Sequence, residues 1–295
     1  MVVKRSIGEK VFSVLNMVLM LALALICLYP FWYVVMCSFS TGEQLMGERG
    51  LMLLPKGFSL SAYASVLSNP SIFTGYRNTL FIVIVGTAIN LVMTSMSAFL
   101  LTRRNFAIKN FMAMMMLFTM YFSGGMIPTY LLVGKYLGMQ NSFWSVLLPG
   151  AVNVYNMIVM RTNFASIPAS LEESATIDGA DEFTVFVRII LPLSKSIIAV
   201  MILFYGVGHW NSWFNAMLYL RERRLYPLQL VLREILLLNS TESMMSNVAS
   251  GGDKYSIAEG IKYATIVVAT VPILCVYPVI QKYFVSGVMI GAVKG

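Results

Sequence analysis

Ser166–Pro192 reads SIPASLEESATIDGADEFTVFVRIILP. In a chain that is 58% apolar and 12% charged, Glu172, Glu173, Asp178, Asp181 and Glu182 stand close together and supply five of the 13 acidic side chains. Such a segment cannot lie in hydrocarbon. Flanked by long apolar runs, it reads as two short water-facing helices. Ser170 and Glu173 have capping-box spacing, and Gly179 is a natural helix end. Asp181 then caps a second helix with Glu182 in its positive first turn, and Pro192 marks where that helix must stop or bend. Leu171, Ala175 and Ile177 on the first helix, with Phe183, Phe186, Val187 and Ile190 on the second, leave apolar surface beside the acids. The expectation is a small helical knob.

Working outward, a chain of 295 residues with 22 Met and 18 Phe and a mean hydropathy of +0.76 is more apolar than one soluble core requires. Its solvent is a bilayer. The net charge of +8 raises nucleic acid as a partner, but Lys and Arg are scattered rather than massed, as the positive flanks of membrane spans are. Cys27, Cys37 and Cys275 have no ligand-like spacing to one another or to His209, so neither a disulfide framework nor a metal site is indicated.

Lys4, Arg5 and Lys10 precede an uncharged run from Val11 to Gly42. It is too long for a signal peptide and lacks a clear cleavage pattern, so it reads as an uncleaved first span, kinked at Pro30. Further uncharged runs cover Asn78 to Thr102, Asn110 to Gly134, Tyr136 to Met160, Ser196 to Leu220 and Tyr263 to Gln281. At roughly 1.5 Å per residue, each reaches about the 30 Å of a hydrocarbon core. The expectation is an all-α integral membrane protein, one domain over 1–295, with spans near 11–39, 78–102, 110–133, 140–160, 195–220 and 262–284. Loops 40–77 and 221–260 then lie outside and 161–194 in the cytosol. Lys4, Arg5 and Lys10 facing Glu43 and Glu48, and Arg103, Arg104 and Lys109 facing only Lys135, place both termini in the cytosol. Arg221, Arg223, Arg224 and Arg233 in an outer loop pull the other way.

Inside the spans, SGGMIPTYLL from Ser123 joins a Gly pair to Pro128. It either breaks a helix at membrane depth or ends one and begins a loop. Tyr121, Asn153, Tyr155, Asn156, His209, Trp210, Asn211, Trp213 and Asn215 are candidates for a substrate path, since aromatic faces stack on ring faces and amides bond hydroxyls. Trp and Tyr also collect at membrane interfaces for ordinary reasons. No intramembrane Asp or Glu accompanies His209, which reads as a hydrogen-bonded helix residue rather than a proton relay.

The chain has no phosphate loop, nucleophile elbow or HExxH, so by itself it is expected to be no enzyme and to hold no cofactor. Glu173-Ser174-Ala175, Gly179 after three residues, and Ile189-Ile190-Leu191-Pro192 after nine more resemble the EAA loop of ABC importer permeases, with Ser174 replacing an Ala. IPASLEESATIDGA, and more loosely SGGMIPTYLL, LLPGAVNVYNMIVMRTNF and LYPLQLVLREIL, resemble the oligosaccharide permeases of maltose-type importers.

The resemblance implies the six-helix type I permease fold in a bacterial cytoplasmic membrane, with a second homologous permease, two ATP-binding subunits carrying ATP and Mg, and an extracytoplasmic solute-binding protein. Glu172, Glu173, Ser174, Ala175, Asp178, Gly179, Ala180, Ile189, Leu191 and Pro192 would form the ATPase-coupling element. Glu173 would pair with the partner, Ala175 and Gly179 would permit close approach, and Ile189, Leu191 and Pro192 would pack the knob onto a fifth span continuous with it. Arg221, Arg223, Arg224 and Tyr226 would touch the binding protein. Alternatively, Leu230, Leu232, Leu236 and Leu237 lay an interfacial helix on lipid. The subgroup suggests an acidic sugar such as an alginate or pectin fragment. A stand-alone secondary transporter is the alternative, which should show coupling-ion carboxylates and an internal repeat.

Overall fold

The computed structural model describes residues 6–46, 50–103, 106–237, 259–276 and 278. Lys4, Arg5, Glu48 and Arg104, and the end of the predicted last span, lie outside these residues. In chain order the helices are α1 (Ile7–Ser38), α2 (Gly42–Met46), α3 (Ser61–Leu67), α4 (Pro70–Thr102), α5 (Lys109–Tyr121) and α6 (Met126–Leu131), the last continued by a π turn over Leu132–Tyr136. Then come α7 (Trp144–Leu147), α8 (Val154–Ala165), α9 (Ala169–Ile177), α10 (Glu182–Val185), a π turn over Phe186–Ile190, α11 (Leu191–Leu193), α12 (Lys195–Trp210), α13 (Phe214–Tyr219) and α14 (Leu228–Leu237). The last among the described residues is α15 (Glu259–Val276).

By length and composition α1, α4 and α15 can each cross a membrane, and two bent pairs raise the number to five at most among the described residues. Six separate spans are therefore not confirmed. The third predicted span is α5 and α6, bent by 114°, with Gly125 at φ 91° where only glycine turns freely. The region 140–160 is not one helix, because Pro149 and Gly150 interrupt it between α7 and α8. The region 195–220 is broken at 211–213 between α12 and α13. Conversely, α4 begins eight residues earlier than predicted, since Pro70 fits the first turn of a helix. The helix of α1 continues through Pro30 and starts from a capping box of Ser6 and Glu9.

The chain forms two compact units. The first comprises Met1–Asn69 with Leu232–Thr270. In it, Tyr29 Oη accepts from the Met52 N–H at 3.1 Å and Trp32 Nε1 donates to the Leu53 carbonyl at 3.0 Å, which ties the loop after α2 to α1. Tyr33 packs edge-on against Tyr263 of α15, with centroids 6.2 Å apart.

The second unit, Pro70–Val231 with Val271–Gly295, is built on α4, which packs against α8 and α12. With apolar residues on every face, α4 gives no amphipathic signal. Its buried stripe is instead Ile82, Gly86, Asn90, Thr94 and Ala98, every fourth residue. Small and polar side chains mark the packing face in a membrane, where apolar residues lose nothing by facing lipid. Thr94 Oγ1 meets Tyr205 Oη of α12 at 2.6 Å along this stripe.

Candidate functional site

The knob of Ser166–Pro192 is helix α9, a tight turn, and α10 running through a π turn into α11. The predicted capping box does not form. Helix α9 starts at Ala169 behind Pro168, whose extended backbone leads the chain in without a side-chain cap, so Ser170 falls inside the first turn. The helix ends on Gly179 at φ 86°. The Ala180 N–H bonds the Ala175 carbonyl at 2.9 Å and the Gly179 N–H bonds that of Thr176 at 3.1 Å, which is a Schellman end. Asp181 caps α10 as expected, accepting from the Thr184 N–H at 3.1 Å. Bonds from the Thr184 side chain and then its backbone hold the Asp181 carboxyl below the usual carboxylate range.

Arg103, one residue past the end of α4, holds the knob to the body. Its guanidinium meets Glu172 with two prongs, Nη1 to Oε2 at 2.6 Å and Nη2 to Oε1 at 2.8 Å. It also reaches Glu182 Oε2 at 3.4 Å, so one cation joins both knob helices. Burial works against this charge; bonding and attraction from Glu172, then Glu182, outweigh it and raise the Arg103 pKa above its ordinary value. The guanidinium also lies 4.2 Å from the centre of the Phe99 ring, and Phe99 packs against Phe186 of the π turn at 4.9 Å. Phe186, Val185 and Ile190 are buried in one core with Met157, Met160 and Phe164 of α8.

This packing corrects part of the sequence expectation. Ile190 is buried at 0% exposure and Leu191 is half-buried against the same core, whereas Pro192 is exposed and Ile189 only half-buried. Glu172 is turned inward to Arg103, while Glu173, Ser174 and Asp178 face out. Ala175 and Ala180 lean on the core. Nothing lies within 4 Å of a Cβ built on Gly179, so no neighbour within the chain demands that glycine, only its φ. Ile177 and Phe183 remain 86% and 67% exposed. Glu172, Glu173, Thr176, Ile177, Asp181 and Glu182 face an open cleft of about 1030 Å³ walled by Arg103 and Phe164. The knob is not collinear with the next helix: the segments Glu182–Leu193 and Lys195–Trp210 meet at 82° across Ser194. The connection is a short corner.

The sugar-path candidates fall into separate roles. Asn153 caps α8 by accepting from the Asn156 N–H at 3.0 Å, and Asn156 is buried. Tyr121, Tyr155, Asn211, Trp213 and Asn215 are exposed. His209 donates from Nε2 to Asn90 Oδ1 at 2.6 Å, and Asn90 Nδ2 bonds the carbonyls of Gly150 and Ala151. Trp210 is buried, with its ring 6.3 Å from that of Tyr76. With Tyr76, Thr87 and Gly206 it lines an apolar cavity of about 560 Å³.

Asn141, just before α7 and at φ 56°, holds the loop after α13: it accepts from the backbone N–H groups of Arg221 and Glu222, both at 3.1 Å, and donates to the Glu222 carboxylate. Glu222 is also ion-paired to Arg224. The Arg224 bond first, then Asn141, lowers the Glu222 pKa. Asn78 of α4 donates to the carbonyls of Arg224 and Tyr226 at 2.8 and 3.0 Å. Leu230 packs into protein with Val146, Ala216 and Leu220, so it is not available to lipid. Arg103, Asn90, Asn78 and Asn141 were missed from the sequence. A lone amide in a charge-free run and an Arg directly after one were the available signals.

No family model matches the chain. It is 43% identical over 290 residues to Protein LplC of Bacillus subtilis, covering 97% of this chain and 96% of that one. It is 41% identical over 288 residues to the polygalacturonan/rhamnogalacturonan transport system permease protein YtcP of the same organism, covering 97% and 99%. Among solved structures, it resembles a chain in the crystal structure of a bacterial ABC transporter involved in import of the acidic polysaccharide alginate, with TM-score 0.86, 32% identity and coverage of 95% and 99%.

Proposed function

The chain belongs to the permease proteins of sugar ABC transport systems, and from that premise we propose that it supplies one half of a membrane pathway for an acidic oligosaccharide. The pathway is powered by ATP hydrolysed on a partner. The observation that carries the substrate class is the likeness, along nearly the whole chain, to a component of an importer of alginate, together with the relative named for polygalacturonan. The exposed Arg221, Arg223 and Arg224 would suit an acidic ligand delivered by a solute-binding protein. A stand-alone secondary transporter is not favoured, because the relatives span the whole chain.

In this reading α9 and α10 dock in a groove of the ATP-binding subunit on the cytosolic side. Glu173 offers an exposed carboxylate, and Ile177 and Phe183 offer exposed apolar contact. Closure of the ATPase dimer displaces the knob, and the short corner at Ser194 passes that displacement to α12. ATP and Mg belong to the partner, a second permease completes the pathway, and both termini lie in the cytosol.

The test is copurification and uptake, with tagged chain expressed beside its candidate ATPase and second permease. Glu173→Lys and Gly179→Asp should release the ATPase while the two membrane subunits stay together. Uptake of oligogalacturonate or oligoalginate should exceed that of neutral malto-oligosaccharide. Retention of the ATPase and unchanged uptake in both variants would refute the coupling role. Equal uptake of neutral and acidic sugars would refute the substrate class.

A further inference from the structure

We infer that Arg103 is the positioning residue through which α4, as well as α12, follows the coupling element. This rests on the reading that α9 and α10 dock the ATPase. Covalently the knob is joined forward to α12 through Ser194 and backward to α8 through Ile167 and Pro168. Helix α4 is not a neighbour of the knob along the chain, yet α4 is the helix on which both α8 and α12 pack. A device that moves α12 without α4 would have to break the polar stripe between them, including Thr94 to Tyr205 and Asn90 to His209.

The joint at the end of α4 prevents this. Its polar half is one guanidinium gripping Glu172 of α9 with two prongs and touching Glu182 of α10. The side chains of Arg103 and Glu172 are only 16% and 21% exposed. Its apolar half is Phe99 against Phe186, with the same guanidinium on the Phe99 face. The planar, two-pronged pairing fixes direction as well as distance, which an ammonium on a flexible stem does not. The Arg103 Nε is buried without a bond to the protein, so the guanidinium grips the knob through its two terminal nitrogens alone. Rotation of α9 is thereby passed to the end of α4. Glu172 belongs to the joint, and Glu173, one residue on, is left for the partner.

The test uses Arg103→Gln, Arg103→Lys, Glu172→Gln, the double variant of the two Gln changes and the exchanged pair Arg103→Glu with Glu172→Arg, each in the full chain. In lipid nanodiscs without partners, hydrogen exchange over 169–177 should rise about tenfold in either single variant, the size expected for loss of one charge-assisted two-pronged pair, and no further in the double. In the reconstituted complex, Arg103→Gln should keep its ATPase and hydrolyse ATP while sugar moved per ATP falls about tenfold; the exchanged pair should recover part of both effects, Arg103→Lys little. Independent, multiplying effects of the single variants would overturn the joint, as would unchanged exchange. If exchange responds but sugar per ATP does not, the joint is structural only and the proposal fails. If even the wild-type chain retains no ATPase, it is the coupling reading that has failed, and the exchange result identifies the case.

Discussion

His209 Nε2 and Asn90 Oδ1 lie 2.6 Å apart between α12 and α4. Asn90 uses its nitrogen on two carbonyls, Gly150 at 2.6 Å and Ala151 at 2.9 Å, so its oxygen must accept and the imidazole proton sits on Nε2. One side chain therefore holds three segments together at the place where Pro149 and Gly150 interrupt the helix. The ring itself rests on Gly86: a Cβ there would stand 2.6 Å from His209 Nε2.

The first prediction concerns that contact. Gly86→Ala would gain helix propensity but force the imidazole away from Asn90, and overpacking of this kind costs about 1–3 kcal/mol. Thermal unfolding of the detergent-solubilised chain should therefore show a lower Tm for Gly86→Ala. A raised Tm would mean the ring yields without losing its bond.

Asn90→Leu tests the node from the other side. It leaves the carbonyls of Gly150 and Ala151 and the His209 donor without a partner, each worth about 1–3 kcal/mol where water cannot enter. Asn90→Leu with His209→Leu should be less harmful than the sum of the two changes, because the second removes a donor the first has orphaned. Additive losses in the same unfolding assay would show that the two residues act apart.

Much of this was legible in the sequence, and the limits were physical. The knob was readable because charge cannot hide in lipid, and Gly179 and Asp181 have one favourable use each at a helix end. The capping box at Ser170 was misplaced because Pro168 already provides an extended lead into α9, which no spacing rule weighs. The region 140–160 reads as a span because the length of an uncharged run takes no account of Pro149 and Gly150. Arg103 was read as one of several positive flanks. Its pairing with Glu172, 69 residues away, is a product of tertiary structure and leaves no periodic trace.

Acid should loosen the loop after α13. The Glu222 carboxyl is held below its ordinary value by Arg224 and Asn141. A depressed carboxylate contributes order fully above its unfolded pKa of 4.5 and loses it as pH falls through the lower folded value. A spin label at Arg221→Cys should stay restrained at neutral pH and gain mobility below the ordinary Glu range. Adding Glu222→Gln should give that mobility at every pH. A label whose motion ignores both would show that Asn141 alone suffices.

Asp181 offers a cleaner cap test because its side chain is exposed and packs on nothing. Asp181→Asn retains an oxygen for the Thr184 N–H, and Asp181→Ala does not. Exchange of the Thr184 amide should therefore quicken in the Ala variant and stay near wild type in the Asn variant. Equal quickening in both would assign the effect to charge at the helix start rather than to the bond.

The last prediction separates packing from docking within the knob. Ile190 is fully buried against Met157 and Met160, so Ile190→Ala should destabilise the chain by about 2–5 kcal/mol. Ile177 and Phe183 are mostly exposed, and replacing either by Ser removes little burial within the chain. If those two side chains meet the ATPase, Ile177→Ser and Phe183→Ser should leave the isolated chain's Tm unchanged while weakening retention of the ATPase. Should both Ser variants hold the ATPase as firmly as wild type, the docking face must be sought among Glu173, Ser174 and Asp178 instead.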